Sequence, residues 1–425
     1  MRQITFQDWT QGRTVPAIGT NSGAPELPFQ GWRHFKEAFA PELVETAVSS
    51  ANGPVLRCLD PFGGSGTTGL ACQFLGVHPV MVEVNPFLAD LIEAKLQSYD
   101  PDSLATDLGR IVRASKKIVL DLDLDEIYCG APATLIEPGL GERWVFDREI
   151  AERIAALRLA VNSLENEAHR RLFRVLLGGI LVQASNVIIN GKGRRYRRGW
   201  KDRPRSPGEV DQLFCNAARR AVSEVFRYGN RSCATYDILR GDCRRLVADA
   251  GTYDIAVFSP PYPNSFDYTD VYNLELWMLG YLMESPANRE LRASTLCSHV
   301  QIARDYPTPP VGCGQLLRTM ESLECTRPKL WNRWIPEMVG GYFSDMVGVL
   351  EGIYTSLTLG GSVWMVVGDS RYSDIKIETG EILAELSENI GYEVVKVDPF
   401  RSMRASAQQG GGAELSESLI VLAKR

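Results

Sequence analysis

Metal-ligating side chains are sparse in this sequence and are not grouped. Its nine cysteines are scattered without a C-x-x-C pair, and its four histidines lie far apart along the chain. This pattern excludes both a zinc site with paired ligands and a disulfide framework. Several cysteines lie inside apolar runs, as the reduced thiols of cytosolic proteins do. We therefore expect no metal ion and a cytoplasmic location.

Long apolar runs and an excess of positive charge are also missing. We find no unbroken apolar run of about 18 residues, and residues 1–10 contain no apolar h-region, so no membrane span or secretory signal is predicted. The net charge of −6 over 425 residues gives no global electrostatic reason to bind nucleic acid. Any such binding must depend on a local cluster of basic residues.

The order of the apolar segments predicts an α/β protein with two insertions. Strands and helices alternate over 1–100, resume over 231–284 and finish over 336–425. Residues 101–230 have a helical pattern, and residues 285–335, which contain several prolines, are expected to be irregular. Seven strands are predicted in all, the last two of them antiparallel.

A glycine-rich turn follows the first predicted strand, 54–60, and leads into a helical segment. It reads P-F-G-G-S-G-T-T-G over 61–69. Such a turn at a helix N-terminus lets backbone N–H groups approach a ligand closely. No lysine stands in or just after the turn, which excludes a P-loop, and the glycine spacing does not match the G-x-G-x-x-G fingerprint. The turn therefore predicts a nucleotide cradle that more than one ligand class could use.

Acidic residues follow the next two predicted strands. Glu83 ends the strand 79–82, about 20 residues beyond the glycine-rich turn, where α/β nucleoside sites hold ribose hydroxyls. Asp242 follows the strand 234–239 and could hold the exocyclic amine of an adenine ring. For both residues the alternative is a solvated carboxylate at a strand end.

The segment V-F-S-P-P-Y, residues 257–262, ends the fourth predicted strand. Pro260 and Pro261 have a fixed φ and no N–H, so the strand cannot continue through them. The hydroxyl of Ser259, a proline carbonyl and the ring of Tyr262 are thus held at the carboxyl end of a strand, where open α/β sheets bind ligands. The alternative is an ordinary proline-rich turn.

One local charge cluster, residues 192–205, lies within the helical segment. It contains eight basic residues and one acid, which gives a charge of +7. Arginines suited to phosphates are interleaved with aromatic rings that can stack on bases, and the glycine and proline content predicts a loop. A solvated charge run is the alternative. The predicted nucleic-acid contacts are Arg194, Arg195, Tyr196, Arg197, Arg198 and Trp200.

Two of these motifs together resemble those of the S-adenosylmethionine-dependent amino methyltransferases of DNA, which make N4-methylcytosine or N6-methyladenine. Residues 60–68 are similar to their D-P-F-x-G-S-G-T-T cofactor motif, and residues 259–262 to their [DNS]-P-P-[YF] catalytic motif. Glu83 and Asp242 fall where the second and third cofactor motifs of the family belong. The segment 35–44 is similar to the one that precedes the first motif.

The resemblance implies a Rossmann-like class I methyltransferase fold, with seven mostly parallel strands and an antiparallel last pair. It also implies S-adenosylmethionine as cofactor and DNA as partner, and identifies no restriction or defence protein. The cofactor-binding residues that it implies are Phe39, Asp60, Phe62, Gly63, Gly64, Ser65, Gly66, Thr67, Thr68, Glu83 and Asp242. The catalytic residues that it implies are Ser259, Pro260, Pro261 and Tyr262.

The expected chemistry is a direct methyl transfer to an exocyclic amine. Hydrogen bonds from the amine to Ser259 and to the Pro260 carbonyl would favour a pyramidal nitrogen and free its lone pair. The base must leave the duplex, and Tyr262 would stack on it. The chain has no Pro-Cys dipeptide, the nucleophile motif of the C5-cytosine methyltransferases. Serine at position 259 favours cytosine N4, with adenine N6, an RNA substrate or an inactive nucleic-acid-binding scaffold as alternatives.

Overall fold

The computed structural model describes residues 2–15, 23–35, 38–118, 122–190, 193–404 and 414–425. Its α-helices are α1 (Phe6–Thr10), α2 (Glu42–Ser49), α3 (Thr67–Leu75), α4 (Pro86–Leu96), α5 (Pro101–Lys117), α6 (Leu124–Ile127), α7 (Arg148–Asn162), α8 (Glu167–Ala184), α9 (Pro207–Tyr228), α10 (Cys243–Leu246), α11 (Tyr268–Val271), α12 (Asn273–Met278), α13 (Ser285–Ala293), α14 (Gly314–Thr326), α15 (Ile335–Ser356) and α16 (Thr379–Ile390). Its strands are β1 (Arg57–Asp60), β2 (His78–Glu83), β3 (Val187–Asn190), β4 (Gly193–Tyr196), β5 (Asp237–Arg240), β6 (Tyr253–Phe258), β7 (Leu357–Gly368), β8 (Ser370–Tyr372), β9 (Ile375–Ile377), β10 (Glu393–Arg404) and β11 (Glu414–Ala423).

Seven of the strands form one sheet in the order β10-β11-β7-β6-β1-β2-β5. The strands β5, β2, β1, β6 and β7 run parallel to one another, and β11 pairs antiparallel with both β7 and β10. These are the seven strands that the sequence predicts. The class I methyltransferase fold, mostly parallel with an antiparallel last pair, is therefore confirmed.

Both sides of the sheet are apolar. Consecutive residues of a strand face opposite sides, and apolar residues occupy both sets of positions. In β1, Cys58 packs on one side and Leu59 on the other, and Val257 and Phe258 of β6 divide in the same way. Helices α3, α4 and α8 cover the first side, and α10, α15 and α16 cover the second. The near-continuous apolar runs that predicted these strands are typical of parallel strands buried on both faces.

The helices of residues 101–230 pack against the sheet domain. Leu104 of α5, Ile154 of α7, Phe173 of α8 and Phe214 of α9 belong to the same apolar cluster as Leu91 of α4. These helices therefore extend one of the two cores of the protein. Among the described residues, no helix is both long enough and apolar enough to cross a bilayer.

The expectation that residues 285–335 are irregular is wrong for two parts of that segment. They contain α13 and α14, and the prolines at 307, 309 and 310 lie in the stretch between the two helices. Pro286 lies in the first turn of α13, where a fixed φ suits the helix and a missing N–H costs little. The prolines between the two helices thus prevent regular structure only in their own stretch, and α13 and α14 form on either side of them.

The N-terminal segment around Phe29 and Trp32 contacts helices α8 and α9. Glu224 of α9 accepts hydrogen bonds from the Trp32 indole N–H at 2.7 Å and from the Phe29 backbone N–H at 2.8 Å. The backbone of Trp32 also crosses α8 at Gly179. A Cβ at position 179 would lie 2.1 Å from the carbonyl oxygen of Trp32, so only glycine allows this contact.

Gly179→Ala is expected to lower the free energy of unfolding by about 1–3 kcal/mol, because the added methyl group displaces the segment around Trp32. The matched control is Gly348→Ala in α15, where no atom lies within 4 Å of the position that the new methyl group would take. That change should raise stability by about 0.5–1 kcal/mol, as alanine does in a helix interior. Urea denaturation of both variants measures the difference, and equal effects would contradict the close contact at Gly179.

Candidate active site

A cavity of about 640 Å³ lies at the carboxyl edge of the parallel strands. The glycine-rich turn after β1 and the end of β2 meet there with the S-P-P-Y segment after β6, which lies more than about 170 residues further along the chain. The predicted residues that line the cavity are Phe39, Asp60, Phe62, Gly63, Gly64, Ser65, Thr67, Glu83, Ser259, Pro260, Pro261 and Tyr262.

Three of the residues predicted to bind cofactor do not line the cavity. Gly66 adopts a φ of +76° and caps the N-terminus of α3, and the Thr68 hydroxyl donates to the Val257 carbonyl at 3.2 Å. Asp242 accepts from the backbone N–H of Arg244 at 3.0 Å and forms an ion pair with its guanidinium at 2.7 Å. The residues on either side of Asp242, Gly241 and Cys243, do line the cavity.

Glu83 joins the end of β2 to the glycine-rich turn. One carboxylate oxygen accepts from the Gly64 backbone N–H at 2.8 Å, and the other accepts from the Asn85 N–H at 2.8 Å. Each oxygen has a second lone pair, so the carboxylate can still accept from the hydroxyls of a ligand. Burial raises the pKa of Glu83 to about 7, partly offset by these two hydrogen bonds.

A second buried carboxyl group, Asp60, lies at the end of β1. It accepts from the Phe62 backbone N–H at 2.9 Å. Burial raises the pKa of Asp60 to about 7, although the nearby Thr68 side chain and the hydrogen bond from Phe62 favour its ionised form. Two carboxyl groups with raised pKa values in one cavity favour a cationic ligand, because a nearby positive charge stabilises the ionised forms.

The glycine-rich turn rests on a buried lysine that no sequence pattern singles out. Lys95 of α4 donates to the Ser65 carbonyl at 2.5 Å and to the Gln30 side-chain oxygen at 2.8 Å. Burial lowers the pKa of Lys95 to about 7, and the charge of Glu224 opposes that shift. A neutral amine still has two N–H groups, so it can keep both hydrogen bonds.

The S-P-P-Y segment is linked by hydrogen bonds to β7 and β11. The Ser259 hydroxyl donates to the Val366 carbonyl at 2.9 Å, and the Tyr262 hydroxyl donates to Glu417 at 2.8 Å. The two hydroxyl oxygens lie 3.3 Å apart. Because the proton of Ser259 is engaged, its oxygen is left to act as an acceptor. Burial, followed by the charge of Glu417, raises the pKa of Tyr262 well above its usual value.

Several residues of the cavity wall are not predicted from the sequence. Residues 294–299, between α13 and α14, form one wall that only the tertiary structure brings to the site. His299 of this wall is buried, which lowers its pKa to about 4. An aromatic-rich passage follows Tyr262 in the sequence, and its Phe266, Tyr268 and Tyr272 line the cavity. Other lining residues that the motifs miss are Phe35, Asp369, Leu415 and Glu417.

Residues 193–196 of the basic segment form one strand of a β-hairpin rather than the predicted loop. Strands β3 and β4 pair antiparallel, and a short 3₁₀ helix, Trp200–Asp202, follows. The rings of Tyr196 and Trp200 stack on each other with centroids 5.1 Å apart, so part of their surface is already covered. Arg197 donates to the carbonyls of Val182 and Ser185, which gives it a structural contact. The apolar residues of β3 pair with residues 194–196 of the basic segment, a partnership that the composition of that segment alone did not indicate.

The hairpin lies beside the cavity. Arg194 of β4 contacts Asp270 of α11 at 3.4 Å, and the neighbouring Tyr268 and Thr269 line the cavity. Arg195 and Arg198 are exposed. The structure thus places this basic surface next to residues that line the cavity. Lys192, which belongs to the basic cluster in sequence, lies outside the described residues.

Comparisons with known proteins agree with the motifs. No family model matches the chain. The chain is 25% identical to the type II methyltransferase M.AvaI of Nostoc sp. over 444 residues, covering 96% of this chain and 87% of that protein. It is 23% identical over 439 residues to the type II methyltransferase M.BsoBI of Geobacillus stearothermophilus, covering 90% and 82%. The resemblance to the DNA amino methyltransferases is confirmed, and with it S-adenosylmethionine as the cofactor.

Among solved structures, an rRNA methyltransferase, aviRa, from Streptomyces viridochromogenes is 10% identical with a TM-score of 0.29, covering 97% of this chain and 92% of that chain.

Lys95→Met is expected to change how stability depends on pH. The pKa of Lys95 is about 7 in the folded chain, against an ordinary value of 10.5 once unfolded. Between these values the unfolded state binds more protons, so wild-type stability rises with pH. From pH 7 to about 10 the wild type should gain on the order of 4 kcal/mol relative to the variant. Urea denaturation at each pH measures the gain, and exposed Lys116→Met is the control. A constant difference would contradict the shift.

Proposed function

We propose that this protein transfers a methyl group from S-adenosylmethionine to the exocyclic amine of a base in DNA, with cytosine N4 as the target. One observation carries this proposal: the glycine-rich turn lines the same cavity as Ser259, Pro260, Pro261 and Tyr262. The type II methyltransferases to which the chain is similar support DNA as the substrate. Adenine N6 is the alternative target.

The cofactor would occupy the side of the cavity formed by the glycine-rich turn. Glu83, anchored to the backbone of Gly64 and Asn85, is placed to accept from ribose hydroxyls. Asp60 and Phe39 line the same side. When bound, S-adenosylmethionine supplies an electrophilic methyl group on a sulfonium centre. Its positive charge suits the two buried carboxyl groups. The carboxylate of Asp242 forms an ion pair with Arg244 and is therefore not proposed to contact the ligand. Asp242 would instead position its neighbours Gly241 and Cys243, which line the cavity.

Ser259 would hold the target amine. Because its hydroxyl donates to the Val366 carbonyl, its oxygen is oriented as an acceptor for an amine N–H. A second N–H would donate to the Pro260 carbonyl. Both hydrogen bonds favour a pyramidal nitrogen whose lone pair attacks in line, so the chain contributes mainly positioning. Tyr262 lines the cavity beside this position and would contact the flipped base.

Cytosine is proposed because Ser259 is a neutral hydroxyl in the first position of the motif. A hydroxyl suits cytosine N4, which lies beside an acceptor ring nitrogen, whereas aspartate is the usual choice of the adenine enzymes that the motif resembles. The basic hairpin beside the cavity would contact the phosphates of the DNA on either side of the flipped base.

Mass spectrometry of nucleosides tests the reaction and the base. DNA and RNA of mixed sequence would each be incubated with the protein and isotopically labelled S-adenosylmethionine. Labelled N4-methylcytosine from DNA is the expected result. Labelled N6-methyladenine would overturn the choice of base, and label in RNA alone would overturn DNA as substrate. Cofactor binding by calorimetry with no label in any nucleoside would indicate an inactive scaffold.

Replacing Arg194, Arg195 and Arg198 together with glutamine is expected to flatten the salt dependence of DNA binding. If each contacts a phosphate, the slope of log K against log salt should fall by about 3, since each contact contributes about 0.9. Arg197 is left unchanged because of its contacts with Val182 and Ser185. Fluorescence anisotropy at several salt concentrations measures the slope.

The control for this prediction is a matched triple substitution on the helical side of the protein. Arg113 of α5 and Arg219 and Arg227 of α9 are also exposed. Their replacement with glutamine should leave the slope unchanged. An equal reduction in both triple variants would mean that the hairpin is no more than a solvated charge run.

A further inference from the structure

Glu417 is a buried carboxylate on the wall of the cavity, and it belongs to none of the motifs described above. It lies in β11, which pairs antiparallel with β7, and its register partner in β7 is Gly368. Only 6% of its surface is exposed. Leu415, two residues earlier, lines the same cavity, as expected for alternate residues of one strand. The central antiparallel strand thus presents one acidic side chain to the site.

A chain of three oxygen atoms connects Glu417 to the catalytic motif. The Tyr262 hydroxyl donates to Glu417 at 2.8 Å, and the Ser259 hydroxyl oxygen lies 3.3 Å from that of Tyr262. A raised pKa keeps the Tyr262 phenol protonated, so the phenol is the donor and the carboxylate the acceptor. Tyr262 therefore fixes the orientation of the Glu417 carboxylate next to the position proposed for the target amine.

The proposed reaction leaves a proton that Ser259 cannot take. As the new C–N bond forms, the C–S bond of the sulfonium breaks and its electron pair stays on sulfur, which becomes a neutral thioether. The nitrogen now carries a positive charge and one proton too many. A hydroxyl such as that of Ser259 accepts a hydrogen bond but is a poor base, so the proton needs another acceptor. A carboxylate is such an acceptor.

We propose that Glu417 is a catalytic residue: after the methyl transfer it takes the extra proton of the nitrogen, from the N–H that donates to Ser259 before the reaction. The products are then a neutral methylated amine and the carboxylic acid of Glu417, which returns the proton to water. This inference rests on the proposed function of the cavity. It supplies the negative charge that the S-P-P-Y motif lacks, from a strand about 155 residues further along the chain.

Asp369, the other carboxylate on this side of the cavity, is held by different contacts. It accepts from the Thr379 backbone N–H at 3.1 Å and from the Ser416 N–H at 3.3 Å, and it pairs with Lys376 at 3.0 Å. These contacts join the end of β7 to β11 and to the start of α16. Asp369 thus braces the strand that presents Glu417, whereas Glu417 contacts the motif itself.

Glu417→Gln tests the proposal because glutamine has nearly the same shape but cannot take a proton. The rate of methyl transfer in a single turnover is expected to fall at least about 100-fold. The affinity for S-adenosylmethionine, measured by calorimetry, should stay nearly unchanged. Glu393→Gln, in β10 of the same sheet, is the matched control, since Glu393 forms an exposed ion pair with Arg425 and does not line the cavity. A wild-type rate for Glu417→Gln would overturn the proposal.

Chemical rescue separates proton transfer from a structural role. Glu417→Ala is expected to regain much of its rate when formate is added, because formate can enter the space left by the side chain and accept the proton. Chloride at equal ionic strength should have no such effect. Ser259→Ala, which lacks the amine acceptor instead, should lose turnover and gain nothing from formate. Loss of rate in Glu417→Ala without recovery in formate would show that Glu417 is only structural.

If Glu417→Gln and Glu417→Ala fail to bind the cofactor, Glu417→Asp tests whether Glu417 takes the proton. It keeps the charge but withdraws the carboxylate by one methylene, so the rate should fall at least about 10-fold with the cofactor still bound. A rate equal to that of the wild type would contradict proton transfer at Glu417. The wild type is measured first. If it methylates no DNA, the proposed function fails; if it does and the variants match it, only the role of Glu417 fails.

Discussion

Two hydrogen bonds made by one buried carboxylate give the active site its shape. Glu83, at the end of β2, accepts from the backbone of Gly64 in the turn after β1 and from that of Asn85 at the start of α4. The Gly63 N–H also donates to the Val82 carbonyl at 2.9 Å. The turn is therefore fixed from the neighbouring strand. Lys95 of α4 also holds the turn, by donating a hydrogen bond to the carbonyl of Ser65.

The turn requires glycines because it lies so close to α4 and to β2. A Cβ at Gly63 would lie 2.6 Å from the Ile92 side chain of α4, and Gly64 has a φ of +51°. Larger side chains would separate the turn from α4 and from β2. The cavity would then lose the edge on which the cofactor is proposed to lie.

Charge is distributed unevenly around the site. Asp60, Glu83 and Glu417 line the interior, whereas Arg194 of the β3–β4 hairpin contacts Asp270, next to the lining residues Tyr268 and Thr269. An acidic interior suits a cationic methyl donor and the proton released by the reaction, and a basic hairpin suits phosphates. The net charge of −6 conceals this separation, since it sums the charges of the whole chain.

The seven sheet strands, the glycine-rich turn and the S-P-P-Y segment were predictable from the sequence, because apolar runs, glycines and prolines act on the backbone locally. The position of Glu83 followed from the same local signals, whereas Asp242, predicted in the same way, pairs with Arg244 and does not line the cavity. Lys95 and Glu417 were not predictable, since a lysine near a helix end and a glutamate in a strand are ordinary until the fold buries them. The hairpin and the wall at 294–299 depend equally on distant partners. The local sequence thus determined which elements form, whereas only tertiary packing decided that β11 lies between β7 and β10 and brings Glu417 to Tyr262.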